Sequence, residues 1–249
     1  MLDPTGLAVA AAAMAIAQLV KGVTGFGSAL VAMPVLLLLL DPADAILVMA
    51  VTDVFAGAWL IWDVWPRIRW VLVLSMFVGT VPGQWVGTGL LDVLDEVWVR
   101  RALGALVASM GASFALRPVV HGRGELTDLP AEPGRLLVGA AIAGIAAGAM
   151  GGLVGASGPP MIAFCKRHFE DQFFRAQLVV FFQLSSLALA LLLLSRGARL
   201  ETLGIVPWML IPVFVGNRSG AFLAPRVSRV VFGRVTGLVL VASGLALLR

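Results

Sequence analysis

The chain is a succession of apolar runs, and that pattern fixes the solvent in which it can fold. The runs cover about 5–20, 26–40, 44–62, 70–91, 97–116, 135–154, 173–195, 202–217 and 230–248, with short polar stretches between them. A helix needs about 20 residues to cross the hydrocarbon of a bilayer, and most of the runs approach that length. Charged residues make up 13% of the 249 residues, about half the share of roughly 25% usual in a soluble domain. Disorder, a disulfide scaffold and an ordinary soluble enzyme are excluded. The expected fold is an all-α polytopic membrane protein. Asp3 and no Lys or Arg precedes the first run. That is unlike the basic start of a secretory leader, so the segment is read as structure.

The sequence repeats itself. Gly22-x-x-Gly25 matches Gly152-x-x-Gly155. Gly83-Gln84-Trp85-Val86-Gly87 matches Gly216-Asn217-Arg218-Ser219-Gly220. Arg101-x-x-Gly104 followed by Gly111 matches Arg234-x-x-Gly237 followed by Gly244. The offsets are 130, 133 and 133 residues. Glycine is frequent, so one match means little, but three in order at a near-constant offset indicate a duplication, as in many transporters. The longest polar stretch, 117–135, carries Pro118, Pro130 and Pro133 and separates the copies. We expect a first membrane repeat over 1–117, a central linker over 118–134 and a second membrane repeat over 135–249.

Basic residues set the topology. If each glycine-rich segment forms part of a single crossing, alternate loops hold 8 and 9 Lys and Arg, which is no bias. If each segment enters and returns, by re-entry or by two full crossings, the loops at 63–69, 117–135, 166–175 and 218–234 share a side and hold 12. The opposite side holds Arg100, Arg101, Arg196, Arg199 and Arg249. Only the second arrangement obeys the positive-inside rule. It places the 117–135 loop in the cytoplasm and the C-terminus on the other side. Each half then changes side an odd number of times, so the repeats are inverted, each a broken or re-entrant glycine-rich helix pair plus three membrane helices. The basic balance, 18 Lys and Arg against 14 Asp and Glu, is therefore topogenic and implies no nucleic-acid partner. Trp59, Trp62, Trp65 and Trp70 surround Arg67 and Arg69, which fits an interfacial aromatic belt or simple packing.

The chemistry concentrates at the two breaks. The first is Gln18-Leu19-Val20-Lys21-Gly22-Val23-Thr24-Gly25-Phe26-Gly27-Ser28, closed by Pro34. Unwound backbone at membrane depth is tolerated only inside protein or beside a cavity. A helix restarting near Gly27 or Ser28 points free N–H groups into that cavity, which favours an anion. Thr24 and Ser28 add hydroxyls, and Lys21 adds positive charge. Alternatively Lys21 snorkels and the glycines serve close packing. The second break is Gly148-x-x-Gly151-Gly152-x-x-Gly155-Ala156-Ser157-Gly158-Pro159-Pro160. Ser157 there takes the place of Gly27 or Ser28, and a proline suits the first turn of a restarting helix.

Polar residues inside apolar runs are functional candidates by default. Asp53 is one, and Gln183 lies 130 residues later. Asp53 either carries a coupling proton or pairs with Lys21. Asn217 and Arg218 close the run 202–217. Arg218 either binds an oxyanion through its fork or is a topogenic charge. His168, in Lys166-Arg167-His168, reads as an interfacial residue.

Enzyme motifs are lacking. There is no Gly-x4-Gly-Lys-[Ser/Thr] loop and no His-Glu-x-x-His. The single cysteine, Cys165, gives no intramolecular disulfide and no cysteine metal site. Gly155-Ala156-Ser157-Gly158 looks like the nucleophile motif of rhomboid proteases. That chemistry needs a histidine base on a later membrane helix, and the only later histidine is His168. No catalytic residue, metal or cofactor is expected.

With both breaks and the duplication in view, the chain resembles the TauE/SafE sulfite exporter family. Lys21-Gly22-Val23-Thr24-Gly25-Phe26-Gly27 with Pro34 carries the likeness in the first half. Gly148-x-x-Gly151-Gly152-x-x-Gly155-x-Ser157-Gly158-Pro159-Pro160 carries it in the second. It departs at Ala156–Pro160, where such proteins often have a run of glycines. The resemblance implies export of small sulfur-containing or organic anions (sulfite, sulfoacetate and related sulfonates) across the inner membrane, coupled to protons. The expected substrate site comprises Lys21, Thr24, Gly25, Gly27, Ser28, Gly155, Ser157, Gly158 and Arg218. Asp53, Gln183 and Asn217 would line or couple it, and one half would rock against the other. A passive anion channel and a non-transporting scaffold are the competing classes. Oligomeric state is left open.

Overall fold

The structure is a computed structural model. It describes residues 3–25, 27–116, 129–130, 132–169, 171–223, 226 and 229–248. Most of the linker 118–134, with His121, lies outside the described residues, as do Phe26 and Arg249. The described helices of the first half are α1 (Pro4–Thr24), α2 (Ser28–Leu39), α3 (Pro42–Val64), α4 (Trp70–Leu91) and α5 (Glu96–Leu116). Those of the second are α6 (Gly134–Val154), α7 (Gly158–His168), α8 (Asp171–Ser195), α9 (Val206–Leu223) and α10 (Arg229–Leu247). Short 3₁₀ turns lie at Trp65–Arg67 and Leu200–Ile205. Among the described residues, five segments are long and apolar enough to cross a membrane: Pro4–Thr24, Trp70–Leu91, Gly134–Val154, Arg175–Ser195 and Leu200–Leu223. The chain is an all-α polytopic membrane protein, as the apolar runs require.

Each half opens with a long helix followed by a short one. These are α1 and α2, of 21 and 12 residues, then α6 and α7, of 21 and 11. At 1.5 Å per residue the short members reach only about 18 Å, well under the bilayer core. No apolar run announces α7, because its last turn is Lys166, Arg167 and His168.

The glycines explain how helices associate without a hydrophobic drive between them. In lipid, close backbone approach at small residues is what favours pairing. A Cβ at Gly216 or Gly220 would strike the carbonyls of Ala15 and Leu19. A Cβ at Gly83 or Gly87 would strike those of Ile145 and Ala149. The second pair of contacts is the first displaced by the repeat offset. So α1 packs on α9 as α6 packs on α4, each helix on the opposite half. Rising numbers meet rising numbers in both pairs, so both run parallel.

The inversion follows from the two pairs of equivalent helices that meet each other. In α5 and α10, Gly104 approaches Gly244 while Gly111 approaches Gly237 and Val241. In α3 and α8, Gln183 donates to the Val54 carbonyl while Gln177 donates to that of Arg67 at 2.7 Å. Both pairs run antiparallel, so equivalent helices point in opposite directions. From the N-cap to the C-cap of α4, Arg69 N, Gln84 and Asp92 meet in turn Gln177 and Ser185 of α8 and Arg196 just beyond it, a parallel pairing. Since α4 is parallel to both α6 and α8, α7 must return between them.

Exposed apolar side chains follow a helical period on α4, at Val71, Leu74, Val78 and Val81. Such a stripe suits lipid and not water. Exposed tryptophans gather at both ends of the helices. Trp62 stacks on Trp65, which meets Trp70 edge-on. Trp85, Trp98 and Trp208 are exposed towards the opposite ends, the first two beneath Arg196 and Arg101. Aromatic belts take these positions.

Candidate functional site

Two left-handed glycines end the long helices. Gly25 caps α1 with φ 85° and gives its N–H to the Lys21 carbonyl at 2.6 Å. Gly155 caps α6 with φ 71° and gives its N–H to the Gly151 carbonyl at 2.9 Å. Other L-residues resist this region by about 1–2 kcal/mol. In the first break Gly27, φ 91°, is the N-cap of α2. In the second, Ser157 precedes α7 with ordinary dihedrals and makes no side-chain cap bond.

Both breaks open onto one cavity. Lys21, Gly27, Ser28 and Asp53 line it from the first half. Gly155, Ser157, Gly158, Phe182, Ser185 and Ser186 line it from the second. The centre of a water-sized sphere has about 40 Å³ to move in, more than the 10–15 Å³ or so that one water needs. The space is on the scale of a few waters.

The buried charge is paired. Lys21 Nζ lies 2.9 Å from Asp53 Oδ1, their side chains 4% and 11% exposed. Gln18 Nε2 donates to the same Asp53 oxygen at 2.7 Å. The Ser28 hydroxyl donates to the carboxylate at 3.2 Å from either oxygen. Asn217 Nδ2 reaches Gln18 Oε1 at 3.4 Å. The network spans α1, α2, α3 and α9 and holds a cation and an anion at the cavity wall, with no net charge.

The two helix starts differ as donors. Ser28, Ala29 and Leu30 keep their N–H groups in the first turn of α2, where a helix carries the partial positive charge that attracts anions. In the first turn of α7, Pro159 and Pro160 have no N–H to offer.

The sequence-predicted residues divide. Lys21, Gly27, Ser28, Asp53, Gly155, Ser157 and Gly158 meet at the cavity. Thr24 does not line it, since its hydroxyl turns back to the Val20 carbonyl at 2.8 Å. Gly25 shapes the turn beside the Arg175 side chain. Asn217 stands behind the wall and acts through Gln18. Gln183 corrects the expectation that it lines the site: its amide bridges α8 to the Val54 carbonyl of α3, and its carbonyl oxygen fills the notch at Gly57. Arg218 also lies away from the cavity, in a separate open pocket with Ser219, Ala221, Phe222 and Leu223. One residue beyond Asn217, it faces another side of α9.

Sequence reading missed Phe182, Ser185 and Ser186, isolated in the apolar run of α8. Gln84 was visible only as the repeat partner of Asn217. It is 1% exposed and donates to the Ser185 carbonyl and hydroxyl.

An inverted duplication whose broken helices meet at a buried, charge-paired polar cavity defines a class: membrane proteins built like secondary transporters. The chain belongs to the TauE/SafE family, since the family model described as "Sulfite exporter TauE/SafE" matches residues 10–247. That is a family of membrane anion exporters. No curated protein and no solved structure matches the chain.

Proposed function

We propose that this protein exports a small sulfur-containing or organic anion, such as sulfite, sulfoacetate or a related sulfonate, across the cytoplasmic membrane in exchange with or together with protons. The observation that carries the reading is the Lys21–Asp53 pair at the wall of a cavity framed by both breaks. A neutral pair rests there without a ligand. An entering anion competes with Asp53 for Lys21 and leaves the site with one excess negative charge. Uncompensated charge in a low-dielectric site is costly. A proton on Asp53 removes the excess, so anion and proton occupancy are linked. The α2 N–H groups add donors on the same side.

Alternating access moves units other than the sequence halves. The backbone contacts at Gly216 and Gly220 tie α1 to α9, and those at Gly83 and Gly87 tie α4 to α6. These cross-half pairs rock against each other, with α3/α8 and α5/α10 at the pseudo-axis. The 117–135 loop faces the cytoplasm, on the side holding 12 Lys and Arg.

The test is flux from proteoliposomes loaded with sulfite or sulfoacetate, with and without an imposed pH gradient. Saturable flux that responds to the gradient, with the response lost in Asp53→Asn, is the expected result. Unsaturable flux indifferent to an uncoupler identifies a passive channel and sinks the proposal. No flux of any anion leaves a scaffold.

A further inference from the structure

Ser185 lies midway along α8, 2% exposed and on the cavity wall. Its hydroxyl oxygen accepts from Gln84 Nε2 at 3.0 Å, and the same amide donates to the Ser185 carbonyl at 2.8 Å. Gln84 belongs to α4 in the first half, so one half fixes a hydroxyl of the other. A hydroxyl carries one proton and two lone pairs. With a lone pair engaged by the amide, the proton still needs an acceptor.

Three threonine hydroxyls buried in these helices give their proton to the carbonyl one turn back. Thr52 gives to Val48 at 2.6 Å, Thr80 to Met76 at 2.9 Å and Thr88 to Gln84 at 2.8 Å. Ser185 makes no such bond among the described residues. Ser28 is the opposite case: its proton is held by Asp53, so it turns lone pairs towards the cavity. Of the two most deeply buried cavity serines, Ser185 is therefore the one with a proton to offer an anion. The repeat supplies a parallel, because Asn217, the counterpart of Gln84, also acts on the wall through a neighbour, Gln18.

We infer that Ser185 is a hydrogen-bond donor to an oxygen of the bound anion, and that Gln84 is the positioning residue that aims it. The assignment rests on the reading of the cavity as the anion site. The experiment is a double-mutant cycle on the purified full chain, using Ser185→Ala, Gln84→Met and the pair. Sulfite and sulfoacetate are titrated against melting temperature, which a ligand selective for the folded state raises. Loss of a hydrogen bond to a charged group corresponds to about a tenfold rise in dissociation constant. We expect that rise in Ser185→Ala, a similar one in Gln84→Met, and no further rise in the pair. In liposomes the change falls on KM, with kcat retained.

Wild-type affinity in Ser185→Ala overturns the assignment alone. A Gln84→Met effect as large without the Ser185 hydroxyl as with it overturns the positioning role, as does a fall in kcat with KM unchanged. Failure of the wild-type protein to bind either anion overturns the reading of the cavity, and this assignment with it. Should Gln84→Met fail to fold, Ser185→Thr decides, since restoration of affinity by a hydroxyl alone is expected and its absence counts against the donor.

Discussion

The two breaks share a backbone and differ in chemistry. Each ends a helix of 21 residues at a left-handed glycine, Gly25 or Gly155, and starts a short helix after two further residues. The first carries Lys21 paired with Asp53 and a helix start with its N–H groups intact. The second has Gly151 where the first has Lys21, and Pro159 and Pro160 where donors would stand. Duplication has preserved what places two chain reversals at one cavity. Charge is kept in one copy only, because a second buried pair would add a desolvation cost without a second ligand. On the function proposed above, the division is between a break that binds and a break that shapes.

Removal of the charge tests that division most severely. Lys21→Ala should abolish anion flux and cost about 3–5 kcal/mol of stability, since Asp53 is left buried without its cation. Lys21→Ala combined with Asp53→Asn should recover the melting temperature but not the flux. Wild-type flux in the single variant would mean that the charged break does not bind. Bulk at the crossings comes next. Gly22→Val and Gly152→Val push side chains against the equivalent carbonyls of Asn217 and Gln84. Each should cost about 1–3 kcal/mol, and clearly unequal losses in thermal melts would break the two-fold equivalence.

A smaller and again matched effect is expected at the caps. Gly25→Ala and Gly155→Ala should each cost about 1–2 kcal/mol, the strain of a left-handed L-residue. The added methyl meets only side chains, Arg175 in one case and Met33 in the other. The smallest effect sharpens the contrast. Pro160→Ala restores an N–H to the first turn of α7, and a helix-terminal donor is worth about a threefold gain in anion affinity. Unchanged affinity in a titration would show that the second break is indifferent to donors.

Much of this architecture is legible in the sequence, for identifiable reasons. Apolar runs report the membrane directly. The offset of 130–133 residues between glycine motifs reports the duplication, because only glycine tolerates those carbonyl contacts. The inversion follows from counting Arg and Lys. What escapes is whatever depends on rotation about a helix axis. Arg218 and Asn217 are neighbours in sequence, yet only Asn217 backs the cavity, since adjacent residues on a helix face different ways. Gln183 stands at the position equivalent to Asp53 but lies on the seam between α3 and α8. Ser185 and Ser186 carry no pattern of their own, and Ser185 gains meaning only from Gln84, 101 residues away. The short helix α7 hides because its basic last turn interrupts the apolar signal.

The crosswise pairing of α1 with α9 and of α4 with α6 also dictates how the protein comes into being. When the ribosome has delivered the first half, α1 is already in the bilayer, but completion of its partner α9 is still about 100 residues away, roughly 5–20 seconds at about 5–20 residues per second. Throughout that interval the Lys21 ammonium has Asp53 of its own half beside it, while the Ala15, Leu19 and Gly22 face meant for α9 touches only lipid. Assembly must therefore wait for the whole polypeptide. A truncated half would remain in the bilayer as an unfinished surface, open to quality-control proteases.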